Sequence, residues 1–89
     1  EDMDRLVIRE KDGKTEITAD VHGMSVNRVK KFINNIINVV RTRIELIIIH
    51  GYKHGTAIKE FLSGSYTNSH IIDKYSDSCN LGVTHILAA

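Results

Sequence analysis

The sequence predicts an α/β fold of the two-layer α+β sandwich kind: a mixed four-stranded sheet with two helices, in the order β-α-β-α-β-β. Three observations carry this. Residues 25–41 repeat Val26, Val29, Phe32, Ile33, Ile36, Ile37 and Val40 at helical spacing, with Arg28, Lys31, Asn34, Asn35 and Asn38 between them. Ile44 to Ile49 is an almost unbroken aliphatic run of strand length. Short apolar segments at residues 15–21, 71–75 and 83–87 are bounded by glycine, asparagine, aspartate and serine, as strands are.

Taken in order, residues 1–14 are the most polar part of the chain and form a polar N-terminal segment or a short strand at residues 6–9. Asp12-Gly13 is a turn dipeptide that suits a hairpin into the next segment. Residues 15–89 form the domain proper. Its first strand puts Ile17, Ala19 and Val21 on one side. Ser25 is a good N-cap for the first helix, whose β-branched residues need tertiary packing to hold them helical. The isoleucine-rich strand reads as buried on both faces, and His50-Gly51 ends it. Ala57, Ile58, Phe61 and Leu62 mark a short helix over residues 55–63, broken by Ser63-Gly64-Ser65. Crossover connections make the first three strands of the domain parallel, and the last two can pair antiparallel.

Composition narrows the function. The 89 residues accommodate one domain, and a hydrophobic share of 42% excludes intrinsic disorder. Twelve basic side chains against eleven acidic ones give a net charge of +1, so whole-molecule attraction to nucleic acid or membrane is excluded and any anion must be held by a local site. The single cysteine, Cys79, rules out an internal disulfide and suits a reducing compartment. No apolar run approaches bilayer length, and no secretory signal is legible. The expected location is therefore cytoplasmic, with no membrane and no obligate protein partner.

The chemistry-bearing residues gather where parallel strands end. In such sheets, ligands bind at the carboxyl ends of the strands. His22-Gly23 closes one strand and His50-Gly51 closes the next, so the two pairs are expected to be neighbours. Asp20 lies two residues before His22 on a strand and projects to the same side, where a carboxylate fixes an imidazole's tautomer. The loop His50-Gly51-Tyr52-Lys53-His54-Gly55-Thr56 adds two glycines, a cation, a second imidazole and a hydroxyl. Its character is that of a phosphate cradle, though it is no Walker loop.

These residues resemble the small MutS-related (Smr) domain family. The family's first motif, Leu-Asp-x-His-Gly, corresponds to Ala19-Asp20-Val21-His22-Gly23. Its second, His-Gly-x-Gly-x-Gly followed by an aliphatic and a basic residue, corresponds to the stretch from His50 to Lys59. A third, Asn/Gly-x-Thr, corresponds to Asn80-Leu81-Gly82-Val83-Thr84. Ala19 replaces the usual leucine, and Tyr52, Lys53 and His54 displace the second glycine to Gly55. The resemblance spans roughly residues 15–88. It implies nucleic-acid binding and, in some members, endonuclease activity on DNA or RNA. The family fold in turn resembles the C-terminal domain of translation initiation factor three.

The leading expectation is an endonuclease in which Asp20 orients His22 as general base and His50 or His54 protonates the leaving oxygen. Gly23, Gly51, Tyr52, Lys53, His54, Gly55, Thr56 and Lys59 would hold the nucleic-acid phosphate. No cofactor is required, and RNA is favoured over structured DNA because its 2′-OH supplies a nucleophile without a metal. Two other classes are weighed. One is a nucleic-acid adapter without catalysis. The other is a mononuclear divalent-metal site on Asp20, His22, His50 and His54, whose ligand types suit zinc or iron. His70 and His85 read as surface or sheet-face residues, and Tyr66 and Tyr75 as packing residues.

Overall fold

The computed structural model describes residues 5–40, 42–51 and 55–89. Its elements are β1 (Leu6–Lys11), β2 (Lys14–Asp20), α1 (Val26–Val39), β3 (Ile44–Ile49), α2 (Ala57–Ser63), β4 (Ile71–Ser76) and β5 (Val83–Ala88). They form an α+β sandwich with a five-stranded mixed sheet in the order β1-β2-β3-β5-β4. The N-terminal strand is therefore real, and it extends the four-stranded sheet by one.

Asp12 and Gly13, at φ 54° and 76°, join β1 to β2 in a two-residue hairpin with Lys11 opposite Lys14. Positive φ at both positions gives the backbone twist that such hairpins need. β2 then runs parallel to β3, with α1 as the crossover. Ser25 caps α1 by accepting from the Arg28 N–H at 3.2 Å. Val29, Ile33 and Ile37 form the buried stripe of α1 and meet Ile17, Leu46, Ile86 and Leu62 in one core. Tyr66 closes that core at 2% exposure, and its hydroxyl donates to Asn34 Oδ1 at 2.6 Å.

One expectation is corrected. The isoleucine run is not buried on both faces. Ile44, Leu46 and Ile48 face the core, whereas Glu45, Ile47 and Ile49 alternate with them, and Ile49 is 36% exposed. The reason is that both helices feed a single core on one side of the sheet. The last two strands do pair antiparallel, and the strand order is not a simple succession. β4 points the same way as β2 and β3, but β5 lies between β3 and β4, antiparallel to both. Burial selects this order: β5 carries Val83, Thr84, Ile86 and Ala88 inside, while β4 exposes Ile72 and Tyr75 and has a register shift between Ile71 and Asp73. A central position suits the first strand and an edge suits the second.

The helix-free face holds a polar cluster. His85 donates from Nδ1 to Glu45 Oε2 at 2.9 Å and from Nε2 to Asp77 Oδ1 at 2.6 Å. Two carboxylate partners favour the form in which both ring nitrogens carry protons, the imidazolium. Lys14 adds a cation 3.3 Å from Glu45 Oε1, and Tyr75 stacks on the imidazole at 4.9 Å with planes 5° apart. His85 thus lies on the sheet face, as expected, but as a fully engaged group. Burial lowers its basicity, and the two carboxylates outweigh burial and raise it. Burial raises the Glu45 carboxyl, but His85 and Lys14 bring it below its ordinary value. The His85 hydrogen bond holds Asp77 low as well.

These shifts fix a pH window for stability. Protonated His85 stabilises fully below its ordinary pKa of 6.5, and this is lost as pH rises through its higher folded value. Ionised Glu45 and Asp77 stabilise above their ordinary values of 4.5 and 3.8, and this is lost as pH falls through their lower folded values. The melting temperature is expected to be highest between about pH 4.5 and 6.5, and to decline on the alkaline side. His85→Gln should flatten that alkaline decline in a thermal-melt series; an unchanged decline would refute the assignment.

Candidate functional site

Three turns meet at one edge of the sheet. The parallel register of β2 and β3 sets Asp20 beside Ile49, so both strands finish together. The Val21 N–H donates to Ile49 O at 2.9 Å, and the chain then reverses into α1 with Met24 N–H on Val21 O at 3.1 Å. Gly23 adopts φ 81° and Gly51 φ 73°, a region that side chains other than glycine enter at a cost. A Cβ placed on Gly51 would stand 3.9 Å from His22 Cβ, so the two His-Gly pairs are adjacent, as the sequence predicts.

The third turn comes from the β4–β5 connection. Asn80 Oδ1 accepts from the Gly82 N–H at 2.8 Å. The Gly82 carbonyl accepts from His50 N–H at 2.9 Å and from Gly51 N–H at 3.1 Å. Packing here leaves no space: a Cβ on Gly82 would lie 3.1 Å from Gly51 Cα. The second and third turns are therefore one braced unit.

Between the turns and α2 lies an open cleft of about 670 Å³. Its lining includes His22 and Gly23 from the first turn, Gly51 from the second, Asn80 and Gly82 from the third, and Lys59 from α2. Met24, Ile49 and Ile58 supply an apolar wall, and His50 and Gly55 complete the border. Thr56 does not line the cleft; its hydroxyl donates to Glu60 Oε2 at 2.6 Å instead. Tyr52, Lys53 and His54 lie outside the described residues.

Asp20 and His22 are paired as expected. Asp20 Oδ1 is bonded to His22 Nδ1, and it also accepts the His22 backbone N–H at 3.2 Å. Burial raises the Asp20 carboxyl, but the His22 bonds, the imidazole and the Arg5 guanidinium together hold it below its ordinary value. A carboxylate on Nδ1 makes that nitrogen the donor, which leaves Nε2 with a lone pair when the ring is neutral. The His22 side chain is 67% exposed at the cleft mouth.

His50 is placed differently from its expected role. The residue is only 6% exposed. Its Nδ1 donates to Gly51 O at 2.8 Å, and its Nε2 accepts from the Thr84 hydroxyl at 2.8 Å. With both nitrogens engaged inside the protein, His50 is not poised as a proton donor; it holds the second turn against β5. Of the metal alternative drawn on Asp20, His22, His50 and His54, His50 is committed elsewhere and His54 lies outside the described residues. Among the described residues, no group of three or more His, Cys, Asp or Glu side chains is arranged to hold a metal ion.

Sequence reasoning gave no role to Asn80, Gly82 and Thr84, although the third motif contains them. Their contribution depends on contacts with residues about thirty positions earlier. Arg5, whose Nη1 reaches the His22 carbonyl at 3.0 Å, carries no sequence signal at all. A scan of protein-family models finds no match to this chain, and a search of curated proteins finds none. Among the described residues, no helix is long and apolar enough to cross a membrane.

Thr84→Val tests the inward-turned imidazole. It keeps the side-chain shape but strips the donor from a buried acceptor, which costs about 1–3 kcal/mol. A lower melting temperature and shifted His50 and Gly51 amide resonances are expected. A variant as stable as the parent would contradict the described His50–Thr84 bond.

Proposed function

We propose that the cleft binds a nucleic-acid phosphate and that the chain is an endonuclease, with RNA favoured over structured DNA. The observation that carries the reading is the Asp20–His22 couple, held at the mouth of a cleft that Lys59 also borders. The resemblance to the small MutS-related domain, which implies nucleic-acid binding and in some members endonuclease activity, supports the same reading.

In this reading Asp20 accepts from His22 Nδ1, and His22 Nε2 takes the proton from the attacking hydroxyl. On RNA that hydroxyl is the 2′-OH next to the scissile phosphate. Its oxygen bonds to phosphorus as the P–O5′ bond breaks, leaving a 2′,3′-cyclic phosphate and a 5′-hydroxyl. Lys59 offsets charge on the phosphate oxygens. His50 acts by positioning, since its nitrogens are occupied. The O5′ takes its proton from solvent at the open mouth or from His54, and His54→Ala separates these two sources. No cofactor enters this scheme, and the protein acts in the cytoplasm.

The competing reading is an adapter that binds without cutting. The commitment of His50 favours it, because the described residues then offer one free imidazole at the cleft rather than two. Cleavage of end-labelled single-stranded RNA and of nicked or branched DNA, both in EDTA, decides between them. RNA cutting that survives EDTA is expected, with His22→Ala and Asp20→Asn each reducing the rate at least about 100-fold while binding persists. Wild-type protein that binds either substrate but cuts neither would establish the adapter. Affinity should also fall with salt, with a slope for fewer than about six phosphates, since the site is small.

A further inference from the structure

Arg5 lies at the start of the N-terminal arm, outside the stretch that carries the family resemblance. It is partly buried. Its Nη1 donates to His22 O at 3.0 Å and stands 3.4 Å from Asp20 O. One guanidinium nitrogen therefore grips both carbonyls that flank Val21. The same two residues, Asp20 and His22, form the side-chain couple. Val21 between them is already tied to β3 through its N–H and to Met24 through its carbonyl. Arg5 thus supplies the restraint that the strand pairing does not: it fixes the peptide planes from which the two side chains spring.

That restraint matters because of how His22 is exposed. An imidazole at 67% exposure, held by one side-chain bond, is only as well placed as the backbone beneath it. Catalytic geometry tolerates little looseness, and displacement by about 1 Å can cost roughly 100-fold in rate. Arg5 also brings positive charge toward Asp20, favouring the carboxylate form that holds Nδ1 protonated.

We propose that Arg5 is a positioning residue for the Asp20–His22 couple, so that the N-terminal arm is part of the functional site. The kinetic consequence rests on the nuclease reading; the effect on the state of His22 does not.

The test compares Arg5→Ala, Arg5→Gln and Arg5→Lys in the full chain, with Arg9→Ala on the adjoining β1 as control. The first readout is the ring 15N spectrum of His22. Wild type and Arg9→Ala should report one tautomer, with the proton on Nδ1. Arg5→Ala and Arg5→Gln should report a mixture, and Arg5→Lys should restore the single form. The second readout is cleavage: kcat in Arg5→Ala is expected to fall about tenfold or more with KM changed less than about threefold. If Arg5→Ala fails to fold, Arg5→Gln carries the comparison, because it keeps a donor without the charge. An unaltered His22 tautomer in folded Arg5→Ala or Arg5→Gln overturns the proposal. Wild type that cuts nothing removes the nuclease reading alone, and the 15N spectrum still decides the role of Arg5.

Discussion

The parallel pairing of β2 with β3 is the constraint on which the rest depends. Because Asp20 and Ile49 share a register position, two strands that are far apart in sequence stop at the same level. Each stop must then become a chain reversal, and Gly23 and Gly51 supply the left-handed backbone for it. The strand ends leave His22 and His50 side by side, yet in opposite circumstances. His22 emerges after the last paired residue and faces solvent, whereas His50 is covered by the β5 turn. The antiparallel placement of β5 against β3 brings Gly82 over His50-Gly51 and seals that half of the edge. One imidazole is thereby left exposed at the cleft mouth and the other consumed in structure.

What was legible in the sequence follows local periodicity and turn chemistry. The α1 stripe, the Ser25 cap, the Asp12-Gly13 hairpin and the adjacency of the two His-Gly pairs all stem from spacings of a few residues, plus the parallel crossover rule. What was not legible depends on partners far along the chain. The order of β4 and β5 is set by which strand can be buried on the core side, not by any periodicity of its own. The fate of His50 is decided by Thr84, thirty-four residues later. That of His85 is decided by Glu45, forty residues earlier. A histidine in sequence has no visible acceptors, so a ligand-facing imidazole and a structural one look alike.

The one-sided core divides the molecule's chemistry. The helix face is mostly apolar, and the Tyr66–Asn34 and His50–Thr84 bonds are polar exceptions among the described residues. The other face carries Glu45, His85, Asp77 and Lys14, a set that is charge-balanced when His85 is protonated. Asp77 also accepts the Cys79 N–H at 3.0 Å, and so helps shape the connection that ends in Asn80 and Gly82. The open face and the cleft are thus joined through one turn. The cluster gives the helix-free sheet face a polar centre: its central side chains are paired ionic groups, and Tyr75 covers the His85 ring.

The proposed function holds nucleic acid in the cleft at the strand ends and not on the open sheet face. The direct measurement is an amide-resonance titration with a short 2′-O-methyl RNA, which can bind but cannot be cut. Perturbations concentrated at Gly23, Gly51, Lys59 and Gly82 are expected, with Tyr75, His85 and Leu87 unmoved. Shifts centred on Tyr75 and His85, with the cleft glycines silent, would contradict it.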